Sequence, residues 1–283
     1  MAGPFYCANF HCNQNTGTMI QQQFAERAAA IVLEEPSAIG LAAAGSWLSN
    51  ELDQYSDLDL ILVTKHKLNG DKVRMMHWAS KFGTLLSAFT GEHVGEPRLL
   101  ICLYDDPLLH VDIKFLTLEE FAFRVEEPVI LADLYGQLEQ SLRLTQASFP
   151  MPEYQWIEDR FWIWIHYGLT KTGRGEYFEV VDFLSYLRST VLGPLLLIRE
   201  GQLPRGVRKV EWRLPEPVLQ QLKGTIAEHD LQSILKAIHQ CVHLYRQLRH
   251  DLYGEDILRQ TATEKRVLAY ADEIAHLSRK INN

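Results

Sequence analysis

The sequence predicts a small mixed α/β domain followed by an all-helical domain. Strand-like apolar runs crowd the first half, apolar residues at helical spacing fill the second, and Pro150 and Pro152 mark the change of texture between them. A chain of 283 residues accommodates two domains at about 150 residues each. The expected boundaries are 1–147 and 148–283.

Taken in order, residues 1–16 have no clear period and read as an arm. A helix is expected over 18–34, capped by Thr16 or Thr18 and ended by Glu34-Glu35-Pro36. Ala38–Ala44, bounded by Pro36 and Gly45, reads as a buried strand, and Leu58–Thr64 as another. Val73, Met76, Trp78, Phe82, Leu85, Leu86 and Phe89 fit one helix over 71–89. Arg98–Tyr104 and His110–Leu116 are strands joined through the turn signal Asp105-Asp106-Pro107. Beyond Pro152, helices are expected over 154–171, 176–199, 216–227, 230–250 and 255–280.

Composition narrows the function. With 47% hydrophobic residues the chain has ample material for a core, which excludes disorder as its main state. No apolar run reaches the roughly 18 residues of a membrane span. Val191–Ile198 is the best short run, and Gly193 and Pro194 interrupt it. The N-terminus lacks a basic start followed by an apolar block, so the expected address is cytoplasmic. Residues 1–150 carry 10 basic against 19 acidic side chains, and the remainder 18 against 17. An acidic first half argues against a nucleic-acid backbone as partner and suits metal ions or a cationic small molecule. Four cysteines with no secretory context do not make a disulfide framework. Cys7, His11 and Cys12 match no standard zinc spacing.

One segment concentrates chemistry: Gly45-Ser46, ten residues, then Asp57-Leu58-Asp59. A glycine after a strand permits a turn that a side chain would block, and the amides there with the Ser46 hydroxyl can hold phosphate. Asp57 and Asp59, two apart on a strand, share a face. Their mutual repulsion is relieved by a divalent cation, with Mg²⁺ the natural oxygen-preferring ion. Asp112 stands in the apolar run Val111-Asp112-Ile113, where a carboxylate is costly unless paired or metal-bound. If its strand adjoins, the three form one cluster. Lys114 shares the Asp112 face.

These residues, AAGSWLSNELDQYSDLDLIL with HVDIKFL, resemble the nucleotidyltransferase superfamily of DNA polymerase β and the antibiotic-modifying adenylyltransferases, over the first 120 residues. The resemblance implies an α/β nucleotidyltransferase domain in which Gly45 and Ser46 hold the triphosphate. It also implies that Asp57 and Asp59 bind Mg²⁺, as two ions in a two-metal arrangement. Asp112 would be either a third ligand or the base that accepts the acceptor's proton. The Ala-Arg-Gly-like run of small-molecule members is replaced here by Trp47-Leu48-Ser49-Asn50-Glu51, without the arginine.

The second half looks like the helical region of aminoglycoside and lincosamide nucleotidyltransferases. This likeness implies triphosphate contacts from Lys171 and Arg174, and contacts to a cationic acceptor from Glu176, Glu179 and Asp182. Trp156, Trp162, Trp164 and Tyr167 read as core rather than as a base-stacking platform. Arg160 and His166 reproduce the R-x5-H spacing of HEPN ribonucleases. His239 and His243 are i,i+4 on a helix but lack the glutamate of a zinc protease motif.

The expected function is Mg²⁺-dependent transfer of AMP from ATP to a hydroxyl of a small molecule, an aminoglycoside-like acceptor being favoured, by a monomer or homodimer. The alternatives are a toxin–antitoxin-type enzyme acting on protein or tRNA, and a degenerate nucleotide-binding or partner-binding protein.

Overall fold

A computed structural model of the chain describes residues 19–49, 51–68 and 70–281. The expected arm, the Thr16/Thr18 cap and the Cys7, His11 and Cys12 group lie outside these residues. The chain divides into two compact units, one ending at Pro150 and one beginning at Met151.

The first unit is built on a six-stranded mixed sheet. Helix α1 (Ile20–Glu34) leads into β1 (Ala38–Ala43), and β2 (Leu58–Thr64) follows a loop. Next come α2 (Lys72–Phe82), β3 (Thr84–Gly91), β4 (Glu96–Asp105) and β5 (Leu109–Leu116). The short α3 (Leu118–Phe121), β6 (Val129–Asp133) and α4 (Gln137–Leu144) complete the unit. The strand order is β3-β4-β5-β2-β1-β6, antiparallel throughout except for the parallel pair β2 and β5.

Alternation along each strand sorts the side chains onto two faces. On one face, Leu58, Leu60 and Leu62 of β2, Val111 and Ile113 of β5, and Leu100, Cys102 and Tyr104 of β4 pack with Phe24, Ala28 and Val32 of α1 and Met75, Trp78 and Phe82 of α2. The Tyr104 hydroxyl donates to the Ala79 carbonyl at 2.8 Å, which ties β4 to α2. On the other face, α3 and α4 cover only part of the sheet. Phe121 and Leu138 pack there on Ile39 and Ala42 of β1 and on Val63 of β2. Gly40 in β1 keeps this end close-packed, because a Cβ there would stand 2.3 Å from the Ala132 carbonyl of β6.

One expectation is corrected. The single helix over 71–89 is a helix ending at Phe82 and a strand beginning at Thr84. Leu85, Leu86 and Phe89 satisfy helical spacing, but Gly83 stops the helix and the following Thr-Leu-Leu-Ser-Ala-Phe-Thr run pairs with β4. β6 is not among the expected strands: Val129–Asp133 is short and follows a proline.

The second unit is helical: α5 (Tyr154–Gly173), α6 (Tyr177–Leu187), α7 (Gly193–Arg199), α8 (Val210–Arg213), α9 (Glu216–Lys223), α10 (Leu231–Leu252) and α11 (Thr261–Ile281). A π-helical turn, Arg188–Leu192, joins α6 to α7 into one continuous helical stretch. By length and composition Tyr177–Arg199 would suffice to cross a membrane, yet Val180, Leu184, Leu187, Val191, Leu195 and Leu196 are buried in the helical core. An ionic network is buried in that core. Glu158 of α5 is fully buried, pairs with Arg249 of α10 at 3.0 Å, accepts from the Tyr245 hydroxyl, and takes the Gln260 amide at 2.9 Å. Arg249 also reaches Glu264 of α11 at 2.6 Å.

Candidate functional site

The sheet face that α3 and α4 leave open carries the carboxylates. Parallel pairing of β2 with β5 sets Asp59 directly beside Asp112. Antiparallel pairing carries the same row on to Ile101 of β4 and Phe89 of β3. The row therefore reads Asp59, Asp112, Ile101, Phe89 across four strands. Neighbouring strands lie about 4.8 Å apart, so the two carboxylates are close enough to repel or to share a cation. Both are partly exposed, whereas their strand neighbours Leu58, Leu60, Val111 and Ile113 are buried on the opposite face.

The turn after β1 backs onto this row. Gly45 opens a 3-10 turn with Ser46 and Trp47 and has φ +62°, a left-handed conformation that favours glycine. A Cβ at Gly45 would stand 1.9 Å from Asp59 Oδ2, so the turn and the carboxylate fit together only because no side chain is there. The Ala44 amide donates to the Asp59 carbonyl at 3.0 Å, which fixes the turn to β2. The Gly45 amide, expected to hold phosphate, donates to Glu126 Oε1 at 2.8 Å. A carboxylate oxygen thus sits on the very donor a phosphate oxygen would use.

Glu126 was not singled out from sequence, since it lies in a loop without a motif, 81 residues from Gly45. Its loop is anchored by Arg124, whose guanidinium donates to the Thr145 carbonyl at 2.6 Å and forks onto Glu127 at 2.8 and 2.9 Å. Gln21 is a second such residue. It is fully buried on α1, and its Nε2 donates to the carbonyls of Asp53 at 2.9 Å and Ser56 at 2.7 Å. It therefore pins the loop that delivers Asp57. The helical pattern of α1 gave no sign of this, because a buried glutamine on an apolar face resembles any polar residue near a helix start.

Asp57 precedes β2 and lines a cleft of about 320 Å³ with Ile20, Tyr55, Ser56, Leu108 and His110. His110 Nε2 lies 2.9 Å from Asp112 Oδ1. Among the described residues, no three His, Cys, Asp or Glu side chains converge as a group that could hold a metal ion. The expected trio is therefore a register pair, Asp59 and Asp112, with Asp57 ahead of the strand and Asp112 engaged by His110. Lys114 is tied down by Glu96 at 2.9 Å. Hydrogen bonds from Arg98 and Lys114 hold the Glu96 carboxyl down at about 2.

In the helical unit, the residues expected to meet triphosphate and acceptor meet one another. Lys171 pairs with Glu176 at 2.6 Å and Glu179 at 2.9 Å, and Arg174 pairs with Glu176 at 2.7 Å. Hydrogen bonds to Glu176 and Glu179 raise the Lys171 ammonium above its ordinary range. The Tyr167 hydroxyl and Lys171 hold Glu179 below its own. Asp182 is exposed one turn further along α6. Trp162 is core, as expected, whereas Trp156 and Tyr167 are surface residues and Trp164 is half-buried. Arg160 stacks over Trp156 at 4.3 Å and His166 packs beside Tyr270, roughly 120° apart around α5, so the R-x5-H pair does not come together. His239 and His243 are exposed on α10. Cys102 and Cys241 are buried, and burial pushes both thiols up to about 12.

Neither a family model nor a curated protein matches the chain. A solved structure of an aminoglycoside 6-adenyltransferase from Bacillus subtilis is similar over 91% of this chain and 99% of that one, at 12% identity and a TM-score of 0.39. At that level of similarity, a functional reading rests on the chain's own residues.

Proposed function

We propose that the chain is a Mg²⁺-dependent nucleotidyltransferase that moves AMP from ATP onto a hydroxyl of a small molecule. One observation carries the reading. Two carboxylates, Asp59 and Asp112, stand at paired register positions on an open sheet face, against a glycine turn with no room for a side chain.

The donor set suits a hard divalent cation, being carboxylate oxygen throughout and close to a backbone amide that already carries an anionic oxygen. Asp59 and Asp112 are the residues that would hold Mg²⁺, one ion or two, with Asp57, in the cleft ahead of β2, as a further candidate. Bound there, the metal would neutralise triphosphate charge and the leaving pyrophosphate. The Gly45 amide and Ser46 hydroxyl position phosphate oxygens once Glu126 gives way. The acceptor oxygen forms the new bond to the α-phosphorus as the bond to pyrophosphate breaks. Asp112 is the third ligand or the group that receives the hydroxyl proton. In the helical unit Lys171, Arg174, Glu176 and Glu179 are engaged in their own ion pairs, so the favoured aminoglycoside-like acceptor draws little support from them.

The test is pyrophosphate release with ATP, GTP, CTP or UTP and Mg²⁺ against aminoglycosides, lincosamides and total tRNA. Acceptor-dependent release should exceed that of the Asp57→Asn/Asp59→Asn protein by about 100-fold or more. Release with tRNA alone would move the protein to nucleic-acid chemistry. Failure of the wild type to bind Mg·ATP would overturn the reading.

A further inference from the structure

The open sheet face does not end at the carboxylates. A solvated sheet face normally turns polar side chains outward. Here the positions that continue the carboxylate rows are apolar. Ile101 pairs with Asp112, Leu103 pairs with His110, and Phe89 pairs with Ile101. Leu103 and Phe89 are 38% and 48% exposed, and Ile101 is partly exposed. The strand spacing places Ile101 about 5 Å from Asp112 and Phe89 about 10 Å from it, on the same face. One further row along, the cationic residue Lys114 is spent on Glu96.

Resting on the nucleotidyl-transfer reading, we propose that Phe89, Ile101 and Leu103 form the acceptor's seat. The acceptor is then an alcohol that carries an aromatic or aliphatic group within about 10 Å of the hydroxyl delivered to Asp112. Burying such a group against these three side chains selects it over an acceptor that is polar or cationic on every side, because removing apolar surface from water favours binding. A polycation gains nothing from this floor and leaves its own charges partly desolvated.

The experiment uses the full chain, with Mg²⁺ and a non-hydrolysable ATP analogue, titrated calorimetrically with phenyl β-D-glucoside and methyl β-D-glucoside as matched probes. The phenyl glycoside should bind at least tenfold more tightly. That preference should fall to within about twofold in Phe89→Ser and Ile101→Ser and return in Phe89→Tyr, with the affinity for the nucleotide analogue unchanged in all three. Equal binding of the two glycosides, or a preference that survives both serine substitutions, would overturn the assignment. A loss of nucleotide affinity in the serine proteins would also overturn it, by giving the apolar row to the nucleobase. If the wild type binds no nucleotide analogue with Mg²⁺, the functional reading itself has failed, an outcome distinct from the others.

Discussion

Gly45 shows how much of this site depends on a missing atom. Its φ of +62° and the 1.9 Å from a would-be Cβ to Asp59 Oδ2 are separate penalties. Gly45→Ala should therefore destabilise the first unit by about 1–3 kcal/mol in denaturant titration and displace Asp59, with loss of Mg²⁺-dependent nucleotide binding. Glu126 makes the opposite prediction. Its carboxylate competes for the Gly45 amide, so Glu126→Ala should raise affinity for Mg·ATP several-fold in calorimetry. An unchanged or weaker affinity would mean that Glu126 supports the turn rather than blocking it. At this scale the sequence revealed the residues linked by short-range rules. An aspartate inside an apolar strand marks Asp112, whose register partner is Asp59, whereas period two does not extend to Asp57, which precedes β2. Glu126 and Gln21 stayed hidden because their contacts join distant segments through loops, where no spacing rule applies.

At the level of strands and helices, the antiparallel edge of the sheet is braced by charge. Glu96 accepts from Arg98 at 2.7 Å and from Lys114 at 2.9 Å, and these bonds depress its carboxyl from an ordinary 4.5 to about 2. A depressed carboxyl stabilises the folded state above its unfolded value and loses that contribution as pH falls through the folded one. Between pH 5 and pH 2 the wild type should lose about 1–2 kcal/mol that Glu96→Gln never had, so the two unfolding curves converge near pH 2. The β2 and β5 strands were legible because each is a bounded, β-rich run with polar residues at alternating positions, Asp59 in β2 and His110, Asp112 and Lys114 in β5. The split of 71–89 into α2 and β3 was not, because Leu85, Leu86 and Phe89 serve a 3.6-residue period as well as a pleat. Pairing with β4 decides between them, and that pairing is non-local. The uncovered apolar row was equally hidden, since which face a strand exposes depends on where α3 and α4 happen to lie.

At the scale of the whole chain, two cores of different chemistry stand in the two units. Among the described residues, the buried charged residues belong to the helical unit, which encloses Glu158 and Arg249. Removing one member strands the other, so Arg249→Met should cost the helical unit about 3–5 kcal/mol, read from thermal unfolding by circular dichroism. Replacing both Glu158 and Arg249 by apolar residues should recover much of that. The change from strands to helices near Pro150 was plain in the sequence, as was the amphipathic pattern of α10. The ionic network was not, because a glutamate and an arginine in amphipathic helices look like surface residues until the helices pack. A last consequence concerns the rim of the sheet. β3 closes the strand order, and Thr84–Gly91 carries no charged side chain to deter a neighbouring molecule from zipping onto it. What spoils that template is one surplus residue: Leu86 has no partner opposite it in the ladder, and a second irregularity follows at Thr90/Gly91. The kink is thus what interrupts pairing along this edge, and deleting Leu86 to restore a regular ladder should raise the rate of aggregation read by light scattering.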